Sequence, residues 1–399
     1  MRILIVGGGI GGLAAALSLH AAGFTEITVT ESVEEIRPLG VGINLLPHAV
    51  RELTELGLAE QLEETGRATA ELTYFDRHGS LIWSEPRGLA AGYHWPQFSI
   101  HRGELQMLLL REVEARGVPV LTGRRLTRFD EAEAEFADGS TLGFDLLVGA
   151  DGIRSTVRAW FYPDEGPPPW NGLVLWRGTT NAQPFLSGRS MIMAGDGERK
   201  FVAYPIKDGL INWIAERPVV GEAADRGDWN RRVPAQEILP HFEQWRFDWL
   251  DVPGLIAGAE AIYEYPMVDR DPLPRWTYGR VTLLGDAAHA MYPIGSNGAS
   301  QAILDARALA FHLARSGDVD HALLAYEQDR REPTTALCLA NRQMGPEIVM
   351  KLVHERAPDG FTDIEQVLPR AEREAIAASY KRLAGFHPDL LNQRPSYTP

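Results

Sequence analysis

The residues with the clearest chemical capacity are glycines and carboxylates gathered in three short stretches. Gly7-x-Gly9-x-x-Gly12 follows an apolar run and opens an Ala/Leu-rich segment. In that setting the first glycine permits a tight turn, the second lets backbone approach a pyrophosphate, and the third lets helix and strand pack closely. The free amides and partial positive charge of the helix start would then face the phosphates. Glu31, 19 residues beyond Gly12, stands where a carboxylate accepts hydrogen bonds from a ribose hydroxyl. The pattern predicts a bound dinucleotide and by itself does not separate a nicotinamide from a flavin carrier.

The second stretch runs Leu283-Leu-Gly-Asp286-Ala-Ala-His289 and on through Pro293-Ile-Gly295-Ser-Asn297-Gly298-Ala299. A buried strand ending in Gly-Asp would hold the Asp286 carboxylate at the C-terminal edge of a sheet, where it can accept hydrogen bonds from a polyol. Taken alone, Asp286 reads equally well as a helix cap. The Pro293–Gly298 loop leads into a helix and would present backbone amides to an electron-rich ring edge. The third stretch is Gly149-Ala-Asp151-Gly152-Ile-Arg154-Ser155-Thr-Val-Arg158. A structural turn accounts for Asp151 as well as ligand contact does, and Arg154 and Arg158 fit a solvated surface.

The elements that must position these groups follow from periodicity. Arg2–Val6 reads as a buried parallel strand, Gly12–Ala22 as a helix stopped by Gly23, and Glu26–Thr30 as a second strand, together a βαβ unit. Leu72–Phe75 and Ser80–Ser84 flank a turn at 76–79 and predict a hairpin. Gly103–Ala115 predicts an amphipathic helix, and Phe144–Gly149 and Arg280–Leu284 predict further buried strands. Between Leu173 and Met267 short strands and aromatics dominate. Trp170, Trp176, Trp213, Trp229, Trp245 and Trp249, six of the ten tryptophans, cluster in or beside that region. They imply a large flat apolar surface, to be filled or offered to a ligand. The last fifty residues read as helical with a polar tail.

The fold class is therefore α/β, with a Rossmann-like dinucleotide-binding domain interleaved with a β-sheet-rich substrate domain and followed by C-terminal helices. The expected boundaries are 1–72, 98–168 and 276–345 for the first domain, 73–97 and 169–275 for the second, and 346–399 for the helices.

Composition bounds what the chain can be. Its 399 residues amount to two or three domains at roughly 150 residues each. With 45% hydrophobic and 23% charged residues it is a globular rather than a disordered chain. A formal charge of −15 disfavours a nucleic-acid partner, which needs a basic footprint. The single cysteine, Cys338, rules out an intrachain disulfide and a thiolate zinc cluster, and the eleven histidines lack ligand spacing, so no metal is expected. Leu13–Ala22 is interrupted by Ser18 and His20 and is too short to span a bilayer. No basic-then-apolar leader precedes the first motif, and a cytoplasmic location is expected.

The three motifs, in this order, resemble those of the single-component FAD-dependent aromatic hydroxylases, the family of 4-hydroxybenzoate hydroxylase. The likeness covers roughly residues 2–345. Within the family, the segments at 35–44, 99–107, 265–274 and 285–305 (EIRPLGVGIN, SIHRGELQM, YPMVDRDPLP and GDAAHAMYPIGSNGASQAILD) are similar to the phenazine-carboxylate monooxygenase branch.

The resemblance implies FAD as cofactor and NADH or NADPH as transient electron donor. It implies hydroxylation of a small, electron-rich aromatic or N-heteroaromatic substrate with dioxygen, through a flavin hydroperoxide, in a monomer or homodimer. By position it implies that Gly7, Gly9, Ile10, Gly11 and Gly12 meet the FAD pyrophosphate, and Glu31 with Ser32 the adenosine ribose. Arg102 would reach the phosphate and ribityl region, the Leu126 backbone the adenine, and Asp286 the ribityl or pyrophosphate end. Gly295, Asn297, Gly298 and Ala299 would face the pyrimidine edge of the flavin, with Arg37 and Gly42 lining its substrate side and Asp151 serving FAD packing and nicotinamide contact. Asn44 and Tyr204 are the candidate catalytic side chains. Asn44 stands where a related pyridine hydroxylase carries a histidine, and asparagine cannot act as a base. Tyr204 could hydrogen-bond a substrate, though a core-edge tyrosine is the simpler reading. His289 is assigned to packing beside the flavin loop, and Trp176, Arg177 and Trp213 could shape the pocket, though core packing is the simpler reading for each. Two rival readings are an FAD-dependent oxidase or reductase without oxygen insertion, and a flavin-bearing protein that binds an aromatic without turnover.

Overall fold

The structure, a computed structural model, describes residues 1–219 and 231–398; Trp229 lies outside them. The chain begins with β1 (Ile3–Val6), α1 (Ile10–Ala21) and β2 (Ile27–Thr30). Then come β3 (Gly42–Leu45), the hairpin β4 (Glu71–Asp76) and β5 (Leu81–Pro86), and helix α2 (Arg102–Ala115). Strands β6 (Val120–Leu121), β7 (Leu126–Phe129) and β8 (Leu146–Gly149) lead to the short helix α3 (Thr156–Phe161). A β-rich stretch follows: β9 (Trp170–Asn181), β10 (Ser190–Gly195), β11 (Lys200–Pro205), β12 (Leu210–Pro218) and β13 (Ile262–Val268). The chain then forms β14 (Thr277–Tyr278), β15 (Val281–Leu283), α4 (Asp286–His289), α5 (Gly298–Arg315), α6 (Val319–Arg342), α7 (Ile348–Arg356) and α8 (Arg370–Leu383).

One sheet has the order β14-β15-β8-β1-β2-β6 and is parallel except at its β14 edge. Its strands are continuous apolar runs because both faces are covered. The register pairs Val6 with both Thr30 and Gly149, and Gly149 with Leu283. All four strands therefore end at one edge, and the residues that follow them (Gly7, Glu31, Asp151 and Asp286) converge there although they are far apart in the chain.

The second sheet has the order β13-β9-β12-β11-β10-β4-β5, antiparallel except where β10 runs alongside β4. The 71–86 hairpin thus joins strands drawn from 170–268. Side chains alternate between its faces. One face buries Trp176, Phe201, Trp213, Phe242 and Trp245 in an aromatic core, with Trp170 and Trp249 packed against it. Here the tryptophan surface is filled by protein: Trp213 Nε1 donates to Thr180 Oγ1 at 3.0 Å and Trp176 Nε1 to Glu264 Oε2 at 2.8 Å. The other face carries Tyr74, Met191, Met193, Val202 and Tyr204.

Glycine sets how closely α1 crosses β1. Gly7 has φ +117°, and a Cβ there would lie 2.3 Å from the Ala150 carbonyl oxygen; one on Gly12 would lie 1.9 Å from the Gly7 carbonyl oxygen. Gly12→Ala must push α1 off the sheet, an overpacking cost of about 1–3 kcal/mol. The variant is expected to unfold at a clearly lower temperature and to lose the dinucleotide-binding loop geometry; an unchanged unfolding midpoint would contradict the crossing.

Candidate functional site

Two cavities lie end to end along the C-terminal edge of the parallel sheet. One, of about 310 Å³, is lined by Glu31, Ser32, Gln106, Leu126, Asp151 and neighbouring arginines. The other, of about 320 Å³, is lined by Ile10, Gly11, Gly42, Asn44, Arg177, Tyr204, Asp286, Asn297, Gly298 and Ala299. Gly9, Arg102, Ala150 and Gly152 border both, so the two are halves of one cleft pinched at its middle.

At that pinch Gly9 caps the N-terminus of α1, and a Cβ on it would meet nothing within 4 Å. The space in front of the helix amides is open, which is what an anionic group bound by backbone requires. In the first half, Glu31 is locked in place: its Oε2 accepts from Gly8 N–H at 2.9 Å, and its Oε1 from the Ser32 hydroxyl at 2.9 Å and Val33 N–H at 3.1 Å. Leu126, at the start of β7, is buried against the same half. Gln106 was not anticipated. It sits one turn beyond Arg102 on α2 and donates to the Gly8 carbonyl at 2.7 Å, pinning the glycine loop. The i, i+4 spacing from Arg102 is the signal that would have found it.

In the second half, Asp286 opens α4 immediately after β15. Among the described residues its carboxylate makes no hydrogen bond or ion pair, and it faces the cleft. Its side chain is open to the cleft, and the protein walls around that cleft raise its pKa above the ordinary aspartate range, the charges of His289 and Arg102 only partly opposing this. The neighbouring His289 is structural, paired with Asp305 at 2.5 Å; Asp305 also takes Arg330 at 2.8 Å. Asp151 fits the structural reading and leaves one oxygen over. Its Oδ2 accepts from Thr156 and Val157 N–H at 2.7 and 3.3 Å at the start of α3, while its buried Oδ1 has no partner. Burial raises its pKa as well.

Arg158 corrects the expectation of a solvated side chain. It is 1% exposed, and its guanidinium donates to Glu165 at 2.7 Å and to the Ala287 and Ala288 carbonyls at 3.2 and 3.1 Å. The Asp-Gly motif is thereby tied to the Gly-Asp motif. Arg154 borders the first half of the cleft.

The loop before α5 needs glycine at 295, where φ is +66° and a Cβ would lie 2.1 Å from the Tyr380 hydroxyl. Asn297 Nδ2 donates to the Gly295 carbonyl at 3.0 Å and to Tyr380 Oη at 2.9 Å, which fixes the loop against α8. Gly298 and Ala299 begin the 18-residue α5 and point its positive end into the cleft. Gly295 itself borders a smaller adjoining cavity with Leu46, Tyr74, Met191 and Met193.

Across the cleft, Gly42 N–H donates to Asn212 Oδ1 at 2.6 Å and Asn44 Oδ1 accepts the Ser99 hydroxyl at 2.8 Å. Tyr204 is 2% exposed; burial pushes its phenol up and nearby Arg177 only partly offsets this, so it stays protonated near neutral pH. Arg37 and Gly12 are expected site residues that line neither half of the cleft, Gly12 because it lies against the Gly7 carbonyl. Pro38 packs its backbone over Gly103, and the Arg37 guanidinium turns outward to pair with Glu35 at 2.7 Å, bordering neither half of the cleft. Trp176 and Trp213 lie on the far face of the sheet, as packing residues, whereas Arg177 lines the cleft.

Residues 1–162 and 266–340 match the model of a family described as an FAD binding domain. The chain is 50% identical over 402 residues to phenazine 1,6-dicarboxylic acid hydroxylase PhzS of Lysobacter antibioticus, with 96% of each chain covered. It is 35% identical to 3-hydroxybenzoate 6-hydroxylase 1 of Aquipseudomonas alcaligenes, over 82% of this chain and 84% of that protein. Among solved structures, HpxO of Klebsiella pneumoniae complexed with FAD and uric acid superposes with a TM-score of 0.78 at 26% identity, covering 96% of both chains.

If the free Asp286 carboxylate accepts from the cofactor's hydroxyls, Asp286→Ala should weaken FAD retention about 10- to 100-fold, the equivalent of losing one charged hydrogen bond. Flavin fluorescence released on dilution measures this, and retention within twofold of the parent would contradict the placement. The raised pKa adds a pH signature. As pH falls, the carboxylate is neutralised earlier than an aspartate free in water, so retention should weaken above the ordinary aspartate range, and Asp286→Asn should lose that dependence.

Proposed function

The chain belongs to the FAD-binding-domain family of flavin-dependent aromatic hydroxylases, and on that premise we propose that it hydroxylates a phenazine-like N-heteroaromatic, with NADH or NADPH as electron donor, in the cytoplasm. The observation that carries the reading is the single pinched cleft, with an adenosine-sized half ordered by Glu31 and a second half that opens onto the Tyr204 face of the antiparallel sheet.

The residues present fit FAD. The empty space before Gly9, the unpaired Asp286 carboxylate and the unpartnered Asp151 Oδ1 are polar positions that the protein leaves unsatisfied on its own. Gly9, Ile10, Gly11 and Arg102 would hold the pyrophosphate, Glu31, Ser32 and Leu126 the adenosine, Asp286 the ribityl chain, and Gly298 with Ala299 the pyrimidine edge. When bound, FAD supplies hydride acceptance and the activation of dioxygen for transfer to an aromatic carbon.

The chain's own residues supply position, charge and space. The positive end of α5 favours negative charge developing at the pyrimidine edge, a preorganised electrostatic contribution. Tyr204 remains a phenol near neutral pH, so it donates a hydrogen bond to a substrate oxygen or nitrogen rather than removing a proton. Asn44, held by Ser99, orients without acid–base chemistry. The adjoining cavity beside Gly295, about 20 Å³ and lined by Glu85, Arg87 and Lys381 as well as Met191 and Met193, has room for a water and not for a ring, so the space for a flat substrate is the roughly 320 Å³ half of the cleft.

The test is NADH and NADPH oxidation in the presence of phenazines, hydroxypyridines, quinolones and phenolic acids, with labelled dioxygen. The reading expects stimulation by a phenazine and one labelled oxygen atom in its product. Hydrogen peroxide without labelled product would favour an oxidase; binding without NAD(P)H consumption would favour a sequestering protein.

A further inference from the structure

Strand β11 opens with Lys200 in an otherwise apolar run, Lys-Phe-Val-Ala-Tyr-Pro, and every residue of it is buried. Alternation puts Lys200, Val202 and Tyr204 on one face, and the register sets them opposite Glu216, Ile214 and Asn212 of β12. That face is the one turned to the cleft, since Tyr204 and Ile214 line it. Glu347, in the turn Gly345–Glu347 before α7, reaches the same place from the C-terminal part of the chain. The Lys200 ammonium pairs with Glu216 at 2.9 Å and with Glu347 at 2.5 Å, and all three side chains are buried.

One carboxylate suffices to neutralise a buried ammonium. Here there are two, and the second makes a contact beyond the ion pair: Glu347 Oε1 accepts from the Gly295 N–H at 3.4 Å. Gly295 belongs to the loop that leads into α5, so one amide of that loop is taken by Glu347 while Gly298 and Ala299 line the cleft. Tyr380 grips the loop through Asn297 at 2.9 Å. Burial works against the Lys200 charge, yet the two carboxylates outweigh it and hold the ammonium above the usual lysine range. Burial raises the Glu216 pKa, with Lys200 and Arg177 only partly opposing this. The charge of Glu347 also reaches Tyr74 and Tyr380. With both carboxylates ionised, the triad places one net negative charge behind the loop whose front would meet the pyrimidine edge of FAD. Reduction adds negative charge at that edge, which the positive end of α5 favours and a carboxylate behind the loop opposes.

We propose that Glu347 is a positioning residue for the flavin loop, held by Lys200 so that it fixes the Gly295 amide and sets a negative charge that makes FAD harder to reduce. The proposal rests on the FAD reading above and adds a control on how readily the bound cofactor accepts electrons.

The experiment measures the reduction potential of FAD-loaded wild type, Glu347→Gln, Glu347→Ala and Glu216→Gln by equilibration with a reference dye, and FAD retention by the fluorescence released on dilution. Glu347→Gln keeps an oxygen for the Gly295 amide and leaves Lys200 paired with Glu216, so no buried charge is stranded. It should hold FAD within about threefold of wild type and favour the reduced over the oxidised cofactor about three- to tenfold more, a rise of about 15 to 30 mV for a two-electron couple. Glu347→Ala, which lacks that oxygen, should show a similar rise and also lose more than threefold in retention. Glu216→Gln removes the same charge from the far side of Lys200 and should shift the potential less.

A potential in Glu347→Gln equal to or below that of wild type would overturn the proposal. An equal rise in Glu216→Gln would overturn it too, because the effect would then belong to buried charge in general and not to the loop contact. Unchanged retention in Glu347→Ala would overturn the fixing of the loop. Should Glu347→Gln fail to fold, Glu347→Ala decides in its place: a raised potential with weaker retention supports the proposal and an unmoved potential overturns it. Wild type that takes up no FAD would overturn the FAD reading and the proposal together, whereas loaded wild type with unmoved variants would overturn the proposal alone.

Discussion

The structure depends on a backbone contact that leaves no room for a side chain. Helix α1 crosses β1 with Gly12 against the Gly7 carbonyl, and Gly7 in turn lies against the Ala150 carbonyl of the neighbouring strand. The contact fixes the height and tilt of α1, and so directs its uncapped amides at the middle of the cleft. It also couples the first motif to the third, because Ala150 immediately precedes Asp151. Any displacement of α1 moves the anion-binding loop and the Asp-Gly turn together.

Polar ties complete the assembly of segments that are remote in sequence. Arg158 reaches from the helix after the Asp-Gly turn to the carbonyls of α4, next to Asp286. The buried His289–Asp305–Arg330 set joins α4, α5 and α6. There the carboxylate of Asp305 is held below the usual range despite burial, because His289 and Arg330 outweigh desolvation. Such a set is expensive to break once one partner is lost. It explains why the histidine of this motif is committed to architecture, leaving Asp286 as the free carboxylate in the cleft.

Much of this was legible in the sequence, for physical reasons that differ by element. The βαβ unit and the strands ending at Gly149 and Leu283 were readable because buried parallel strands are continuous apolar runs, and a common sheet edge then follows from topology. The place of Asp151 was only half readable, since capping, which the structure shows, and ligand contact ask for the same residue type. Arg37 was misplaced because its direction is decided by Pro38 lying on Gly103, a contact between segments more than sixty residues apart. Gln106 escaped notice although its spacing from Arg102 was visible. Arg177 could be read only as pocket wall or packing, with packing the simpler choice, because alternation along β9 shows that Trp176 and Arg177 part company, but not which face the parallel-sheet half of the molecule will cover. The tryptophan-rich stretch was correctly seen as a large apolar surface; that protein fills it depends on helices that no local pattern assigns to that face.

The most direct test of the central claim is a crystal structure of the protein with FAD. The account predicts one FAD stretched along the cleft, with adenosine beside Glu31 and Leu126, pyrophosphate at Gly9 and Arg102, and the pyrimidine edge at Gly298 and Ala299. A flavin ring bound away from the second half of that cleft, or an adenosine lodged outside the first, would contradict it.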